Sequence, residues 1–229
     1  MRTDYTSSTR PAWESGGGWS DVTKVVIQDD VTSIGNYAFY NRTSLGSVTF
    51  GNNSQLGTIG DSAFSGCTSL ASVTFGNNSQ LGSIGDSAFS GCTTLASVTI
   101  PDSVTSIGNN AFYNCIELAS VTFGNNSQLG SIGKFAFYDC TNLASVAIGN
   151  SVTTIGKQAF YYCTSLGSLT IGDHVETIGD GAFNGCSALG SVTIPNSVTT
   201  IGDEAFYDCT ELESVAIGDH VGSIGMGAF

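Results

Sequence analysis

Seven cysteines are the residues of this chain best equipped for chemistry, because thiols bind metals, form disulfides and act as nucleophiles. Each of them occupies the same place in a recurring motif: Cys67, Cys92, Cys115, Cys140, Cys163, Cys186 and Cys209. Arg42 holds that place in the first copy. A position filled once per motif is typical of the core, where cysteine behaves as a small hydrophobic residue. No CxxC and no Cys/His pair with ligand spacing occurs, so we predict buried free thiols and neither metal nor cofactor.

Two histidines are the next candidates for catalysis. His174 and His220 occupy equivalent places two motifs apart, which puts them about 10 Å from each other, too far to share one metal ion. The G-x-S-x-G, Walker A and H-E-x-x-H patterns that place nucleophiles, phosphates and zinc are absent from the sequence. We therefore predict that the protein is not an enzyme.

Serine and threonine alternate with Leu, Val and Ile in the segment that follows each cysteine. Successive side chains of a strand point to opposite faces, so the hydroxyls should form two rows on one face, about 4.8 Å apart along the rows and about 6.7 Å across them. Ala147 and Ala216 interrupt the threonine row. The candidate ligand-binding residues are Ser47, Thr49, Ser72, Thr74, Ser97, Thr99, Ser120, Thr122, Ser168, Thr170, Ser191 and Thr193.

The two rows of hydroxyls have three interpretations. Repeat duplication copies soluble, strand-favouring residues whether or not they touch anything. A ligand-binding face for a protein or a glycan follows from the general use of solenoid surfaces in binding. An ice-binding face is the third, because regular hydroxyls on a flat parallel sheet can order water.

The elements that must position these residues come from a repeat of 23 or 25 residues, marked by an Ile-Gly pair. A period in this range indicates a solenoid. Within one unit, Ile178, Ala182 and Phe183 fit one face of a short helix, and Leu189 to Ile194 fits a strand. We predict an α/β repeat solenoid with nine parallel strands on its concave face and short helices opposite. The pairs begin at Ile34, Ile59, Ile84, Ile107, Ile132, Ile155, Ile178, Ile201 and Ile224.

The ends of the predicted helix have recognisable residues. An aspartate directly after the Ile-Gly pair, as at Asp61 and Asp180, is typical of a helix N-cap. Five residues later the chain has Gly, Asn or Asp in every unit but one, and these types accept the left-handed conformation that ends a helix. Tyr162 is the exception.

Domain organisation follows from the same period. Residues 1–18 are predicted to be a tail or linker, and residues 19–229 a single solenoid whose N-terminal end is covered by Trp13 and Trp19. The formal charge of -13 argues against nucleic acid and anionic membranes as partners. No apolar run approaches the roughly 18 residues of a membrane span, so no membrane insertion is expected.

The motif I-x-x-x-A-F-x-x-C-x-x-L, seen as Ile59, Ala63, Phe64, Cys67 and Leu70, resembles the BspA-like or Treponema-type leucine-rich repeats of surface proteins. The resemblance covers about nine-tenths of the chain. It implies a curved solenoid, an extracellular or cell-surface location, and adhesion or ligand capture.

Two features differ from a complete member of that family: the sequence shows no export signal, and the array stops in mid-unit at Phe229. Such an end leaves the apolar residues of the last unit without a neighbour. Head-to-tail association into filaments is therefore an alternative expectation for the function.

Overall fold

The computed structural model describes residues 21–124 and 126–229, which form a stack of similar coils. Each coil has three sides: a strand of three or four residues, a strand of two residues, and a turn segment. The described residues contain eighteen strands, numbered here in chain order. Strand pairing joins each coil to its neighbours, so the solenoid predicted from the 23- and 25-residue period is confirmed.

The longer strands form the side that carries the predicted hydroxyl rows. They pair in parallel in chain order from β1 to β13, and β15 pairs with β17 as a separate ladder. The predicted nine parallel strands are therefore present. They are β1 (Lys24–Ile27), β3 (Ser47–Phe50), β5 (Ser72–Thr74), β7 (Ser97–Ile100), β9 (Ser120–Phe123), β11 (Ser145–Ala147), β13 (Ser168–Thr170), β15 (Ser191–Ile194) and β17 (Ser214–Ile217).

The long-strand sheet is interrupted between β13 and β15, where the described residues form no ladder. The middle residue of β13 is Leu169, whereas the other long strands have valine at this position. Leu169 is only partly buried, although Val146 and Val192 in the neighbouring repeats are buried. The interruption thus coincides with the one repeat in which this inward position holds a larger side chain.

The second side is a parallel sheet that we did not predict. Two residues are too few to show the alternation by which a strand is recognised in a sequence. Each strand consists of Ser or Thr followed by the isoleucine of the Ile-Gly pair. They are β2 (Ser33–Ile34), β4 (Thr58–Ile59), β6 (Ser83–Ile84), β8 (Ser106–Ile107), β10 (Ser131–Ile132), β12 (Thr154–Ile155), β14 (Thr177–Ile178), β16 (Thr200–Ile201) and β18 (Ser223–Ile224).

The predicted short helices are wrong: the third side consists of turns in the part of the chain that the structure describes. Each turn segment holds two residues with left-handed φ, such as Ser62 (53°) and Gly66 (74°). The second of these positions is the predicted helix end, and Tyr162 adopts the conformation there as well (56°). The first position was not predicted, and it interrupts the right-handed backbone before a helix can form.

Hydrogen bonds explain why turns replace the helix. The amides of Ala63 and Ser65 close turns within the repeat, onto the carbonyls of Gly60 and Ser62. The alternate amides donate to the next repeat: Ser62 to Asp86, Phe64 to Ala88 and Gly66 to Ser90, each at 2.8 Å. In the turn segment, every second backbone amide therefore donates a hydrogen bond to the next repeat, as in a sheet. These amides cannot also form the hydrogen bonds of a helix.

The aspartates predicted as helix caps have a different partner. Asp61 Oδ1 accepts a hydrogen bond from the amide of Asp86 at 2.9 Å, one repeat along the chain. Asn36, Asp86, Asn109, Asp180 and Asp203 act in the same way on the following repeat. These side chains join successive repeats and do not cap a helix.

Stacked phenylalanines form the centre of the core. Phe39, Phe64, Phe89, Phe112 and their successors to Phe229 stack in an unbroken column, with ring centroids 5.0 to 5.3 Å apart. The rings from Phe64 to Phe206 are at most 1% exposed. Stacked aromatic pairs contribute about 0.5–1.5 kcal/mol each beyond the burial of their area.

Repeats of 25 residues differ from those of 23 only in the turn after the long strand. In the longer form, Ser54 is buried and its Oγ accepts a hydrogen bond from the amide of Leu56 at 3.3 Å. Ser79 and Ser127 do the same for Leu81 and Leu129. The leucine occupies the core position that Val104 fills in a shorter repeat. Two extra residues are thus absorbed in this turn without displacing the core.

We predict that Ser62→Gly raises the free energy of unfolding by about 0.5 kcal/mol, since glycine adopts a left-handed φ without the penalty of a β-carbon. Ser65 lies in the same turn with a right-handed backbone. Ser65→Gly is the matched control and should lower the free energy by about 0.5–1 kcal/mol. Denaturant unfolding of both variants tests this; equal effects would contradict the role assigned to the left-handed position.

We also predict that Gly179→Ala destabilises the protein by about 1–3 kcal/mol, because the added β-carbon would lie 2.7 Å from the amide nitrogen of Lys157 in the preceding repeat. Gly190→Ala is the control: no atom lies within 4 Å of its added β-carbon, and Ala71 and Ala96 fill the equivalent position. Thermal unfolding should show a large loss for the first variant and none for the second. A tolerated Gly179→Ala would refute the proposed contact.

Candidate ligand-binding face

The predicted binding residues lie in two rows on one side of the long-strand sheet, which we call the hydroxyl face. Parallel pairing aligns Ser47 with Ser72, Ser72 with Ser97, and Ser97 with Ser120. Thr49 pairs with Thr74, and Thr99 with Thr122. The register of Ser, Val and Thr is the one that the sequence predicts.

Most of these side chains face solvent. Ser47 and Thr49 are half-buried, and the remaining ten predicted residues, from Ser72 to Thr193, are exposed. Among the residues that the structure describes, none of the twelve hydroxyls is hydrogen-bonded to another protein group. Their donors and acceptors are therefore available to a ligand. The face has the chemistry of a polar binding surface.

Two depressions divide the face into distinct regions. One has a volume of about 750 Å³ and lies at the interruption between β13 and β15, where Thr170, Ser191 and Thr193 line it. The other has a volume of about 550 Å³ and lies at β5 and β7, where Ser72, Thr74, Ser97 and Thr99 line it. The other five predicted residues, Ser47, Thr49, Ser120, Thr122 and Ser168, line neither of them.

Prolines mark both depressions. Pro101 and Pro195 line them at the position where the other repeats from Gly51 onward have glycine, and Asp102 and Asn196 follow. We did not predict these residues as part of a site. The available signal was that two of the three prolines occur in the same sequence context, Ser-Val-Thr-Ile-Pro. The serine row also continues through Ser145 and Ser214, which align with its other members.

A further row of hydroxyl residues lies on the two-residue strands, in the position before each isoleucine. Thr58, Ser131 and Thr154 are exposed members of this row. Its signal in the sequence was the Ser or Thr that precedes every Ile-Gly pair. Neither of the two depressions is lined by a residue of this second row.

The seven cysteines are free thiols, as predicted, and all but the partly buried Cys209 are fully buried. Each sulfur donates to the carbonyl of a phenylalanine in the preceding repeat, as Cys115 does to Phe89 at 3.2 Å. Burial raises the pKa of Cys67 to about 12 and that of Cys209 to about 11, and it raises the pKa of the other five as well. These thiols stay protonated and unreactive at neutral pH.

The histidines belong to exposed turns. His174 Nδ1 lies 2.7 Å from the carbonyl oxygen of Asn150, and His220 Nδ1 lies 3.1 Å from that of Asn196. The described residues contain no cluster of three or more His, Cys, Asp or Glu side chains suited to a metal ion. They also contain no helix long and apolar enough to cross a membrane.

Comparison with known proteins agrees with this geometry. The family model for the BspA type leucine rich repeat region matches residues 18–130 and 125–229. The chain belongs to the BspA-type leucine-rich repeat family. The family had been suggested by the motif of Ile, Ala-Phe, Cys and Leu, and that prediction is confirmed. A search of curated proteins gave no match.

Solved structures support the same assignment. A leucine-rich repeat protein of Treponema pallidum is 30% identical, with a TM-score of 0.62, over 74% of this chain and 78% of that one. A leucine-rich repeat protein of Eubacterium ventriosum is 25% identical, with a TM-score of 0.65, over 82% of this chain. The match spans 59% of the Eubacterium protein. The pneumococcal vaccine antigen PcpA shares the fold, with a TM-score of 0.51. It is 18% identical, and the match covers 89% of this chain and 74% of PcpA.

The thiols predict a loss of stability at alkaline pH. An unfolded cysteine ionises near pH 8.5, whereas the folded thiols keep their protons to about pH 11 or above. Their contribution to the free energy of unfolding is therefore fully present below pH 8.5. It is lost as the pH rises toward 11 and 12, by up to about 1.4 kcal/mol per pH unit for each thiol. Guanidinium unfolding from pH 8 to 10 tests this, and a Cys115→Ala, Cys140→Ala variant should show a shallower decline. An equal decline in the variant and in the unmodified protein would contradict the assignment of the alkaline loss of stability to the buried thiols.

Proposed function

We propose that this BspA-type chain is a non-enzymatic binding scaffold that acts outside the cell and holds a protein or glycan ligand against the hydroxyl face. Residues 19–229 serve as one solenoid in this proposal, and the surface location rests on the family resemblance. The predicted tail of residues 1–18 and the predicted cap residues Trp13 and Trp19 lie outside the described residues. The observation that carries the proposal is the exposure of hydroxyls that have no partner in the described protein.

The depressions favour a ligand over simple replication of strand residues. Duplication alone produces the same surface in every repeat, whereas both depressions lie at repeats that differ from their neighbours, by Pro101 in one case and by Leu169 and Pro195 in the other. Each combines hydroxyls with an apolar wall, Ile100 and Pro101 in one and Ile194 and Pro195 in the other. Small-molecule and peptide sites commonly combine polar groups with apolar walls in this way.

Ice binding fits the same face less well. A crystal lattice requires a flat and regular surface, but the depressions interrupt the rows and Ala147 and Ala216 remove two threonines. The sheet is also interrupted between β13 and β15. We therefore rank ligand binding above ice binding. Head-to-tail association stays a prediction from the sequence.

The test is a triple variant on the hydroxyl face. Thr74→Lys, Thr99→Lys and Thr122→Lys remove three hydroxyls and fill the face with long side chains, while the inward Leu, Val and Ile remain. Binding to a panel of glycans and extracellular-matrix proteins should fall at least tenfold. Far-UV circular dichroism should show that the fold is retained.

The matched control carries the same change on the other sheet. Thr58→Lys, Ser131→Lys and Thr154→Lys alter exposed strand hydroxyls and add the same charge. This control should bind as the unmodified protein does. Equal losses in both triple variants would mean that charge and not the hydroxyl face determines binding, and thermal hysteresis of the unmodified protein would support ice binding in its place.

A further inference from the structure

Tyrosine follows the core phenylalanine on the third side of the solenoid in five repeats, at Tyr40, Tyr113, Tyr138, Tyr161 and Tyr207. In three successive repeats this residue is tyrosine, and the rings of Tyr113, Tyr138 and Tyr161 stack on one another. Their centroids are 4.9 and 4.8 Å apart, and neighbouring rings are within 11° of parallel. The preceding repeats have Ser65 and Ser90 at this position, so the ring of Tyr113 has no aromatic neighbour in that column on the side of Ser90.

Two further rings widen the column into a patch. Tyr162 packs against Tyr161 at 4.7 Å, and Phe135 lies 6.1 Å from Tyr138. Tyr113 and Tyr162 keep 37% and 43% of their surface exposed. We call these five residues the tyrosine patch. Stacking stabilises the solenoid, but exposed apolar surface that is grouped in one place, unlike apolar residues scattered singly, marks an interaction site.

Three carboxylates lie near the patch: Asp139 directly follows Tyr138, and Glu204 and Asp208 belong to the turn segment two repeats beyond Tyr161. Burial, the neighbouring tyrosines and Asp139 raise the pKa of Tyr138. Burial, Tyr162 and the carboxylates of Glu204 and Asp208 raise the pKa of Tyr161. A raised phenol pKa reports an environment unfavourable to negative charge.

Two lysines lie at the other edge, where the turn segment begins. Lys157 Nζ is 3.6 Å from Asp180 Oδ2, so its charge is largely matched locally. Lys134 occupies the equivalent position one repeat earlier. The chain as a whole has a formal charge of -13, and the carboxylates near the patch outnumber these two cations. The patch is therefore aromatic, and carboxylates outnumber cations around it.

We propose that the tyrosine patch docks an arginine-rich, basic segment of a partner protein. A guanidinium group stacks on aromatic rings and is weakly hydrated, so it suits partly exposed tyrosines better than an ammonium group does. Asp139, Glu204 and Asp208 supply the matching negative charge. The same charge repels a second copy of this chain, nucleic acid and an anionic membrane. This surface is separate from the hydroxyl face and does not depend on the function proposed there.

Fluorescein-labelled nona-arginine is the probe, titrated with the full chain at about 0.1 M NaCl and followed by fluorescence anisotropy. The variant is Tyr113→Ser, Tyr138→Ser, Tyr161→Ser, which leaves the net charge unchanged and places at each position the residue found at Ser65 and Ser90. Loss of the cation–π contacts at one exposed and two partly buried rings should weaken binding about tenfold or more. Nona-lysine should bind the unmodified protein several-fold more weakly than nona-arginine.

A second pair of variants separates the patch from general attraction to an acidic protein. The double variant Asp139→Asn, Asp208→Asn removes two charges near the patch. Asparagine already adopts a left-handed φ at the equivalent position of two other repeats, Asn41 and Asn114. The double variant should weaken nona-arginine binding about threefold to tenfold. Asp30→Asn with Asp219→Asn removes the same charge from exposed turns after the long strands and should change it less than twofold.

Unchanged affinity in the tyrosine variant would overturn the proposal, as would equal losses in the two aspartate variants. Circular dichroism establishes that each variant is folded. If the tyrosine variant does not fold, the two aspartate variants still decide the outcome, because both keep every ring of the patch.

Discussion

Backbone hydrogen bonds join successive repeats on all three sides, except on the long-strand side between β13 and β15, and the resulting separation of about 5 Å determines the rest of the structure. At this distance the phenylalanine rings stack, each cysteine sulfur reaches a carbonyl of the preceding repeat, and Asp61 reaches the amide of Asp86. The same distance excludes a β-carbon after the isoleucine of the Ile-Gly pairs from Ile59 to Ile224. Successive repeats must therefore have similar sequences, because each residue of a repeat contacts the residue at the equivalent position of the next repeat.

The long strands and the core could be predicted because their signals lie within a single repeat. Alternation of Ser, Val and Thr orients each strand residue, and one buried Phe and one buried Cys recur in nearly every unit. The third side could not be predicted in this way. Ile59, Ala63 and Phe64 have a spacing that suits a helical turn, but the amides of Ser62 and Phe64 bond to the following repeat. A pattern read within one unit contains no information about that partner.

The candidate surfaces were predicted to different extents for the same reason. Register alone places the hydroxyl rows, so the sequence was sufficient to align Ser47 with Ser72 and Thr99 with Thr122. The depressions and the tyrosine patch arise where repeats differ: Pro101 and Pro195 replace glycine, Leu169 replaces valine, and tyrosine follows the core phenylalanine in three successive repeats between Ser90 and Asn184. Such differences are individually small in the sequence. They become surfaces only when the fold places them side by side.

The turn of the 25-residue repeats has a consequence for how such arrays diversify. Ser54 closes the longer turn on itself, and Leu56 takes the place of a valine in the core, so chain length changes there while the column of phenylalanines keeps its spacing. Additional segments can enter the chain at this corner, next to the hydroxyl face, without a change of register elsewhere. Each repeat therefore has a turn at which residues can be inserted. New recognition loops can evolve at this turn while the strands and the core that support them stay the same.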